Sequence, residues 1–147
     1  MNFYEISRQN FDEWVLMGVA LWPHHTKKEI TKEFRKQLKE EKYKTFICIN
    51  DTSQSIAFIN LSLRIDHVEG ASSSPIGYVE GIYVKPGYRK QGVAKELIKV
   101  AEKWAKKRGC KELGSDTELS NVDSQKFHKK LGFKKADTIV HFIKKIK

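Results

Sequence analysis

A length of 147 residues suits one ordinary domain, and we expect residues 1–147 to fold as a single unit. Hydrophobic residues make up 39% of the chain and charged residues 31%, a balance that is typical of folded globular proteins and excludes a disordered chain. Lys and Arg number 28 against 18 Asp and Glu, so the formal net charge is +10. Such an excess favours anionic partners, which include nucleic acid, a membrane surface and a phosphorylated cofactor.

No segment of the sequence has the pattern of a membrane-spanning helix or of an export signal. No apolar run approaches the roughly 20 residues of a membrane-spanning helix, and the first residues lack the basic and apolar layout of a signal peptide. We therefore expect a cytoplasmic protein. Cys48 and Cys110 lie far apart with no ligand-spaced histidines, which predicts two buried free thiols and no metal site.

Two helices are predicted at the start of the chain. Asn10 and Glu13 have the spacing of a capping box, and Pro23 would end the helix that follows. Thr26 and Glu29 have the same spacing and predict a second helix. Its apolar residues recur every four positions and predict one buried stripe: Ile30, Phe34 and Leu38.

Three strands are predicted next, over residues 45–49, 57–65 and 76–84. Apolar and other side chains alternate along residues 57–65, as they do in a strand with two distinct faces. Gly77 and Gly81 lie inside the third strand, where glycine often marks a bulge or a close approach by another backbone.

The second half of the chain switches from strand to helix periodicity. We predict a helix over residues 92–108, a strand over 111–115, a helix over 120–131 and a last strand over 139–143. The element order is then ααβββαβαβ. This order predicts an α/β (α+β) fold with a central mixed β-sheet flanked by helices.

The most informative segment joins the third strand to the following helix. After a Pro-Gly turn, the amphipathic helix opens on Arg89, Lys90, Gln91, Gly92, Val93 and Ala94. The first N–H groups of a helix have no internal partner and favour an anion. Because Gly92 has no side chain to block a phosphate, and Arg89 and Lys90 add positive charge, the segment predicts a phosphate-binding turn.

This arginine, glycine and alanine spacing resembles the pyrophosphate loop of the GNAT superfamily of N-acetyltransferases. A second motif is similar to that superfamily's later helix on the coenzyme side: Asn121, Ser124, Phe127, His128, Leu131, Gly132 and Phe133. The resemblance implies a GNAT-like fold, acetyl-CoA as co-substrate and no metal. It also implies these coenzyme contacts: Ile82, Tyr83, Val84, Arg89, Lys90, Gln91, Gly92, Val93, Ala94 and Asn121.

Further stretches narrow the resemblance to the aminoglycoside 6'-N-acetyltransferases. Residues 77–84, residues 115–122 and the Leu-Trp-Pro sequence around Trp22 look like that group. The resemblance implies an aminoglycoside acceptor, antibiotic resistance by acetylation and a homodimer. We expect these residues to bind the acceptor: Trp22, Tyr78, Glu80, Asp116 and Asp137.

Attack of an amine on a thioester requires a base, an oxyanion donor and a proton for the thiolate. Glu80 is the predicted base, acting through a water, and Asp116 either anchors the acceptor's ammonium groups or assists deprotonation. In a regular strand Glu80 would share a face with Tyr78 and Ile82, whereas a bulge near Gly81 would re-aim it. The resemblance implies that a backbone N–H near Ile82 or Tyr83 binds the oxyanion.

His128 departs from the family pattern, because most GNAT enzymes have a tyrosine there as the acid for the departing thiolate. Free imidazole has a pKa of about 6.5 and is able to donate a proton. His128 is therefore a candidate acid, with mere contact to the coenzyme as the alternative.

The net charge opposes a polycationic acceptor, so an aminoglycoside would need a local acidic pocket. A polyamine, a lysine or a protein N-terminal amine is the alternative acceptor. A basic nucleic-acid-binding module is the alternative of another class. We expect neither nucleic acid nor a membrane as partner.

Overall fold

The structure is a computed structural model that describes residues 1–147. Its elements in chain order are β1 (Asn2–Glu5), α1 (Phe11–Leu21), α2 (Lys27–Leu38), β2 (Tyr43–Ile49), β3 (Ser55–Arg64), β4 (Ile76–Val84), α3 (Val93–Lys107), β5 (Leu113–Ser115) and α4 (Val122–Lys130). The strands form one five-stranded sheet in the order β1-β2-β3-β4-β5. The first four are antiparallel, and β5 lies parallel to β4 after the α3 crossover. The predicted mixed sheet with flanking helices is confirmed.

Helices cover both faces of the sheet, so the core has two parts. The α3-side cluster contains Ile59, Leu61, Leu97 and Ala101, among others. The α1/α2-side cluster is built on aromatic rings, with Trp14 stacked on Phe34 at a centroid distance of 3.7 Å. Because both faces are covered, β3 is buried over most of its length on both sides. Cys48 and Cys110 are buried free thiols, as predicted, and burial raises the pKa of both.

The two predicted capping boxes have different outcomes. At α2, Thr26 and Glu29 cap each other: Glu29 N donates to Thr26 Oγ1 at 3.1 Å and Thr26 N to Glu29 Oε1 at 3.0 Å. The prediction of a capping box between Asn10 and Glu13 is wrong. Asn10 Oδ1 instead accepts from Ser7 N at 2.8 Å, because a short 3-10 turn precedes α1, while Glu13 is bound by Lys85 Nζ at 3.1 Å.

The apolar stripe of α2 is one turn shorter than predicted. Ile30 and Phe34 are buried, but Leu38 is half exposed. Gln37 is buried in its place because it accepts a hydrogen bond from the buried Asn60 Nδ2 at 2.8 Å. The helix therefore ends on a polar contact with β3.

Both ends of the chain differ from prediction. β1 was not predicted, because its four residues are mostly exposed and gain their order from pairing with β2, from Asn2 opposite Ile49 to Glu5 opposite Phe46. The predicted strand over residues 139–143 is wrong. No helix or strand follows α4, and Phe142 and Ile143 are 92% and 101% exposed. Strand propensity expresses packing and pairing, and these residues find neither within the chain.

A β-bulge in β4 positions the site. Asn60 pairs with Gly81 and Leu61 pairs with Val79, so Glu80 is the extra residue. Of the two alternatives for this strand, a regular pleat or a bulge near Gly81, the structure has the bulge, which exchanges the two faces for the residues that follow it. Ile82 packs against the α3-side cluster and Tyr83 against the α1/α2-side cluster. In a regular strand Ile82 would lie on the same face as Tyr78; because of the bulge, Tyr83 lies on that face instead.

No helix in the structure combines the length and the apolar character needed to cross a bilayer.

Candidate active site

Glu80 is held by two side chains of the neighbouring strand. Ser62 Oγ donates to Glu80 Oε1 at 2.7 Å, and Arg64 donates to the same oxygen through Nε at 3.2 Å and Nη2 at 2.8 Å. Arg64 Nη2 also reaches Glu80 Oε2 at 3.1 Å. Ser62 and Arg64 are two positions apart in β3, so both side chains point to the face on which the bulge projects Glu80.

Tyr78 and Asp116 join this group from β4 and the end of β5. Tyr78 Oη donates to Asp116 Oδ2 at 2.6 Å. The Arg64 guanidinium lies over the Tyr78 ring, with Cζ 3.4 Å from the centroid. Burial, and then the hydrogen bond to Asp116, raise the pKa of Tyr78 far above its ordinary value, so the phenol stays protonated and keeps donating. We call Arg64, Tyr78, Glu80 and Asp116 the acidic cluster.

Two of the predicted acceptor-binding residues lie outside this hydrogen-bonded group. Trp22 is half buried at the end of α1, where its ring packs against Phe34 and Phe58 and covers Gly81. The indole therefore borders the bulge. Asp137 is exposed in the C-terminal segment, and its carboxylate accepts from the adjacent Thr138 N at 2.7 Å. The structure does not bring Asp137 to the acidic cluster.

The turn before α3 has the geometry of an anion site. Glu96 N donates to Gly92 O at 3.1 Å, which opens the helix, and no N–H group from Gln91 to Lys95 has a hydrogen-bond partner within the chain. Lys90 and Gly92 have positive φ values of 62° and 82°, which turn successive N–H groups toward one side. A Cβ placed on Gly92 would meet nothing within 4 Å.

The basic side chains of the turn are differently placed. Arg89 Nε donates to Val84 O at 2.7 Å, and its guanidinium lies 5.4 Å from the Tyr83 ring centroid, so this arginine ties the turn to the end of β4. Lys90 and Gln91 are exposed, while Val93 is buried and Ala94 half buried against the α3-side cluster. The anion site is thus made chiefly by backbone.

One edge of β4 is open beside this turn. β5 pairs only with Gly77, Tyr78 and Val79, so β4 has no strand neighbour on that edge from Glu80 to Val84. This gap leaves backbone groups around Ile82 and Tyr83 available to a ligand. It joins the acidic cluster at the bulge to the N-terminus of α3.

His128 faces the end of β5 from α4. Its Nδ1 lies 2.7 Å from Ser124 O, a carbonyl that only accepts, so Nδ1 carries a proton. In the neutral ring Nε2 then accepts from Ser115 Oγ, 2.7 Å away. Asn121 caps the same helix: its side chain accepts from Ser124 N at 3.1 Å.

Three residues of this site were not predicted from the sequence: Ser62, Arg64 and Ser115. Each acts across strands or between a strand and a helix, so its partner is distant in sequence. The signal for two of them was present in the alternation of residues 57–65, where Ser62 and Arg64 share one face. No group of three or more His, Cys, Asp or Glu side chains is arranged to hold a metal ion.

Comparison with known proteins agrees with this geometry. The family model described as Acetyltransferase (GNAT) family matches residues 3–133. An aminoglycoside N(6')-acetyltransferase type 1 from Serratia marcescens is 38% identical over 135 residues, which cover 92% of each chain.

Two solved structures are also similar over nearly the whole chain. The apo aminoglycoside 6'-N-acetyltransferase AAC(6')-IG from Acinetobacter haemolyticus has a TM-score of 0.94 at 37% identity and covers 100% of both chains. AAC(6')-Iy in complex with the bisubstrate analogue CoA-S-monomethyl-acetylneamine has a TM-score of 0.92 at 32% identity and covers 99% of this chain and 98% of that one. This chain therefore belongs to the GNAT family of acetyltransferases, among the aminoglycoside N(6')-acetyltransferases.

Proposed function

We propose that this enzyme transfers the acetyl group of acetyl-CoA to the 6'-amino group of an aminoglycoside by direct attack of the amine on the thioester. One observation carries the proposal: an anion site at the start of α3 and an acidic cluster at the bulge of β4 lie along the same open strand edge. A phosphorylated thioester and a cationic amine are thereby bound at two ends of one opening.

Acetyl-CoA fits the first of these sites. The unpartnered N–H groups from Gln91 to Lys95 suit a diphosphate, and the space beside Gly92 lets it approach the backbone. Ile82, Tyr83 and Val84 offer main-chain groups along the open edge, and Asn121 closes the site from α4. The bound coenzyme supplies the activated acetyl group. The overall excess of positive charge attracts it.

The acceptor binds at the acidic cluster in this proposal. Glu80 takes a proton from the acceptor's ammonium group through a water, which leaves a lone pair for attack. Asp116 anchors a second ammonium group, with Tyr78 and Trp22 as the apolar and aromatic walls. A backbone N–H at Ile82 or Tyr83 stabilises the oxyanion.

His128 is the proposed acid for the leaving thiolate. Its Nδ1 proton is committed to the backbone, so the acid form is the imidazolium, which carries a second proton at Nε2 beside Ser115 Oγ and becomes the neutral ring when the thiolate takes that proton. The serine hydroxyl is able to accept this proton and pass on its own. The direction of transfer is thus set by the fixed ring orientation.

We also propose that residues 1–147 form one N-acetyltransferase domain that works in the cytoplasm as a homodimer. Support for a dimer comes from the C-terminal segment, where Ile139, Val140, Phe142, Ile143 and Ile146 expose apolar side chains. A monomer in water would bury such a set. Light scattering checks the proposal, with a mass near twice the 17.1 kDa of one chain as the expected result.

Acetyl-CoA turnover against an amine panel tests the acceptor. Thiol release should require a kanamycin- or tobramycin-like amine and should be negligible with spermidine, lysine or a peptide N-terminus. Preference for one of these other amines would assign the chain to that acceptor instead.

The Glu80→Gln variant tests the proposed base. It should lose most turnover while coenzyme A affinity is retained, and full activity in that variant would exclude the base role.

A further inference from the structure

The two oxygens of the Glu80 carboxylate are used very unequally. Oε1 accepts three hydrogen bonds, from Ser62 Oγ at 2.7 Å, Arg64 Nε at 3.2 Å and Arg64 Nη2 at 2.8 Å. Oε2 accepts one, from Arg64 Nη2 at 3.1 Å. A carboxylate oxygen has about two lone-pair directions. Oε1 is therefore saturated, and Oε2 alone retains acceptor capacity.

Arg64 is itself fixed in place. Its guanidinium lies 3.4 Å from the Tyr78 ring centroid, which is in stacking contact, and Tyr78 is held by its hydrogen bond to Asp116. The side chain of Arg64 is 40% exposed and that of Glu80 27% exposed, so solvent and a ligand can reach this pair. The planar fork of arginine restrains both the position and the orientation of a carboxylate, which lysine does not do.

A bulged residue needs such a restraint more than one in a regular strand. Glu80 is the unpaired residue opposite Asn60 and Leu61, so the ladder does not define its direction as it does for its neighbours. Without outside contacts a glutamate there has several rotamers available. Ser62 and Arg64 select one of them.

We propose that Arg64 is a positioning residue for acetyl transfer, with Ser62 as its helper: together they hold Glu80 so that Oε2 is the oxygen that receives the acceptor's proton. This inference rests on the proposed role of Glu80 as base. The proton passes from the acceptor ammonium through the water to Oε2, leaving a neutral amine and a carboxylic acid, and Arg64 gains and loses nothing. Tyr78 and Asp116 are the other ionisable groups that face the pair.

The test compares Arg64→Met with Arg108→Met, a matched control. Arg108 also lies over an aromatic ring, 5.8 Å from the Trp104 centroid, and donates to a carbonyl, Glu41 O at 3.1 Å, but at the C-terminal end of α3. Kinetics use the amine that the wild-type enzyme accepts best in the panel. A misplaced reacting group costs up to about 100-fold, so Arg64→Met should lower kcat by ~10- to 100-fold, with acetyl-CoA affinity and Tm near wild type.

The kcat of Arg64→Lys should lie between that of Arg64→Met and that of the wild-type enzyme, because lysine restores the charge but not the planar fork of arginine. Arg108→Met should keep wild-type kcat. Wild-type kcat in Arg64→Met overturns the proposal. If that variant folds poorly, Ser62→Ala serves as the second test. It removes one of the three hydrogen bonds to Oε1 and should lower kcat by a smaller factor. Wild-type kcat in Ser62→Ala would likewise overturn the proposal.

A double-mutant cycle separates positioning from a structural role. Residues that act as one unit are not additive, so Arg64→Met should cost less than about twofold when added to Glu80→Gln. Effects that multiply would show that Arg64 acts independently of Glu80. The result does not depend on which acceptor is used. A polyamine preference in the wild-type enzyme would therefore contradict the proposed acceptor and leave the test of Arg64 intact.

Discussion

Two glycines near the end of β4 differ in what their missing side chains would touch. A Cβ on Gly81 would lie 2.4 Å from Cζ2 and 2.6 Å from Cη2 of Trp22, whereas one on Gly87 would meet nothing within 4 Å. Trp22 is wedged against Phe34 and Phe58, so its ring has little room to retreat. Gly81→Ala should therefore lower the free energy of unfolding by about 1–3 kcal/mol, the usual cost of overpacking, as measured by urea denaturation.

Gly87→Ala is the control for this change and should leave stability near wild type. Equal stability of the two variants would mean that Trp22 is free to move and is not a fixed wall of the acceptor site. Because the indole borders the bulge, we also expect Gly81→Ala to raise the KM for the acceptor more than that for acetyl-CoA.

The role of His128 is the second prediction at this scale. His128→Gln removes the imidazole while a polar side chain remains near Ser115. Loss of a general acid should lower kcat by about 100-fold, within the range for general acid–base catalysis, with little change in coenzyme A affinity measured by calorimetry. An unchanged kcat, with weakened coenzyme binding, would instead make His128 a contact residue.

Single residues were predictable from the sequence where they belong to one continuous motif. Glu80 and Tyr78 lie in the same strand, Gly92 opens the helix after it, and all three appear where the sequence indicated. Arg64 and Ser115 were missed because their significance comes from partners 16 and 13 positions away, across strand pairing that no local pattern records. Asp137 was predicted as a carboxylate for an acidic acceptor pocket, without a motif to place it, and the structure leaves it exposed in the C-terminal segment, outside the acidic cluster.

At the scale of elements, helix α3 has a glycine with the same positive φ at each end. Gly92 precedes it and Gly109 follows it, both with φ of 82° and no neighbour within 4 Å of an added Cβ. Gly92→Asp and Gly109→Asp thus carry the same conformational cost. Only the first puts a negative charge at the helix N-terminus, among the free N–H groups that we assign to the diphosphate.

Gly92→Asp should therefore abolish measurable coenzyme A binding in calorimetry, and Gly109→Asp should leave it within about twofold of wild type. Gly109→Asp should have the lower Tm of the two variants, because a carboxylate is favourable at a helix N-terminus and unfavourable at the C-terminal end. If both variants bind coenzyme A equally well, the turn is not the diphosphate site.

Elements with strong internal periodicity were predicted and those that depend on partners were not. β4 begins and ends at the predicted residues, 76 and 84, and α3 differs from prediction by one residue at each end. β1 is set by its neighbour β2, and its own four residues carry no signal of their own. Residues 139–143 have the opposite property: an apolar strand sequence without a partner in the chain remains irregular.

For the molecule as a whole, the net charge has opposite effects on the two substrates. The chain carries a formal net charge of +10, yet the acceptor site presents Glu80 and Asp116. Arg64 already neutralises one of these carboxylates. A polycationic acceptor thus approaches against the long-range field and is held only at short range, whereas the anionic coenzyme is attracted throughout its approach.

Salt screens the long-range part of this field first, because the Debye length falls from about 30 Å at 0.01 M to about 8 Å at 0.15 M ionic strength. Over that range we expect kcat/KM for acetyl-CoA to fall and kcat/KM for an aminoglycoside to rise, each measured with the other substrate saturating. A neutral salt that does not bind phosphate sites, such as sodium chloride, is the suitable titrant. If the aminoglycoside value falls as steeply as that for acetyl-CoA, the local carboxylates dominate its capture, and the +10 excess is too remote from the acceptor site to oppose a polycation.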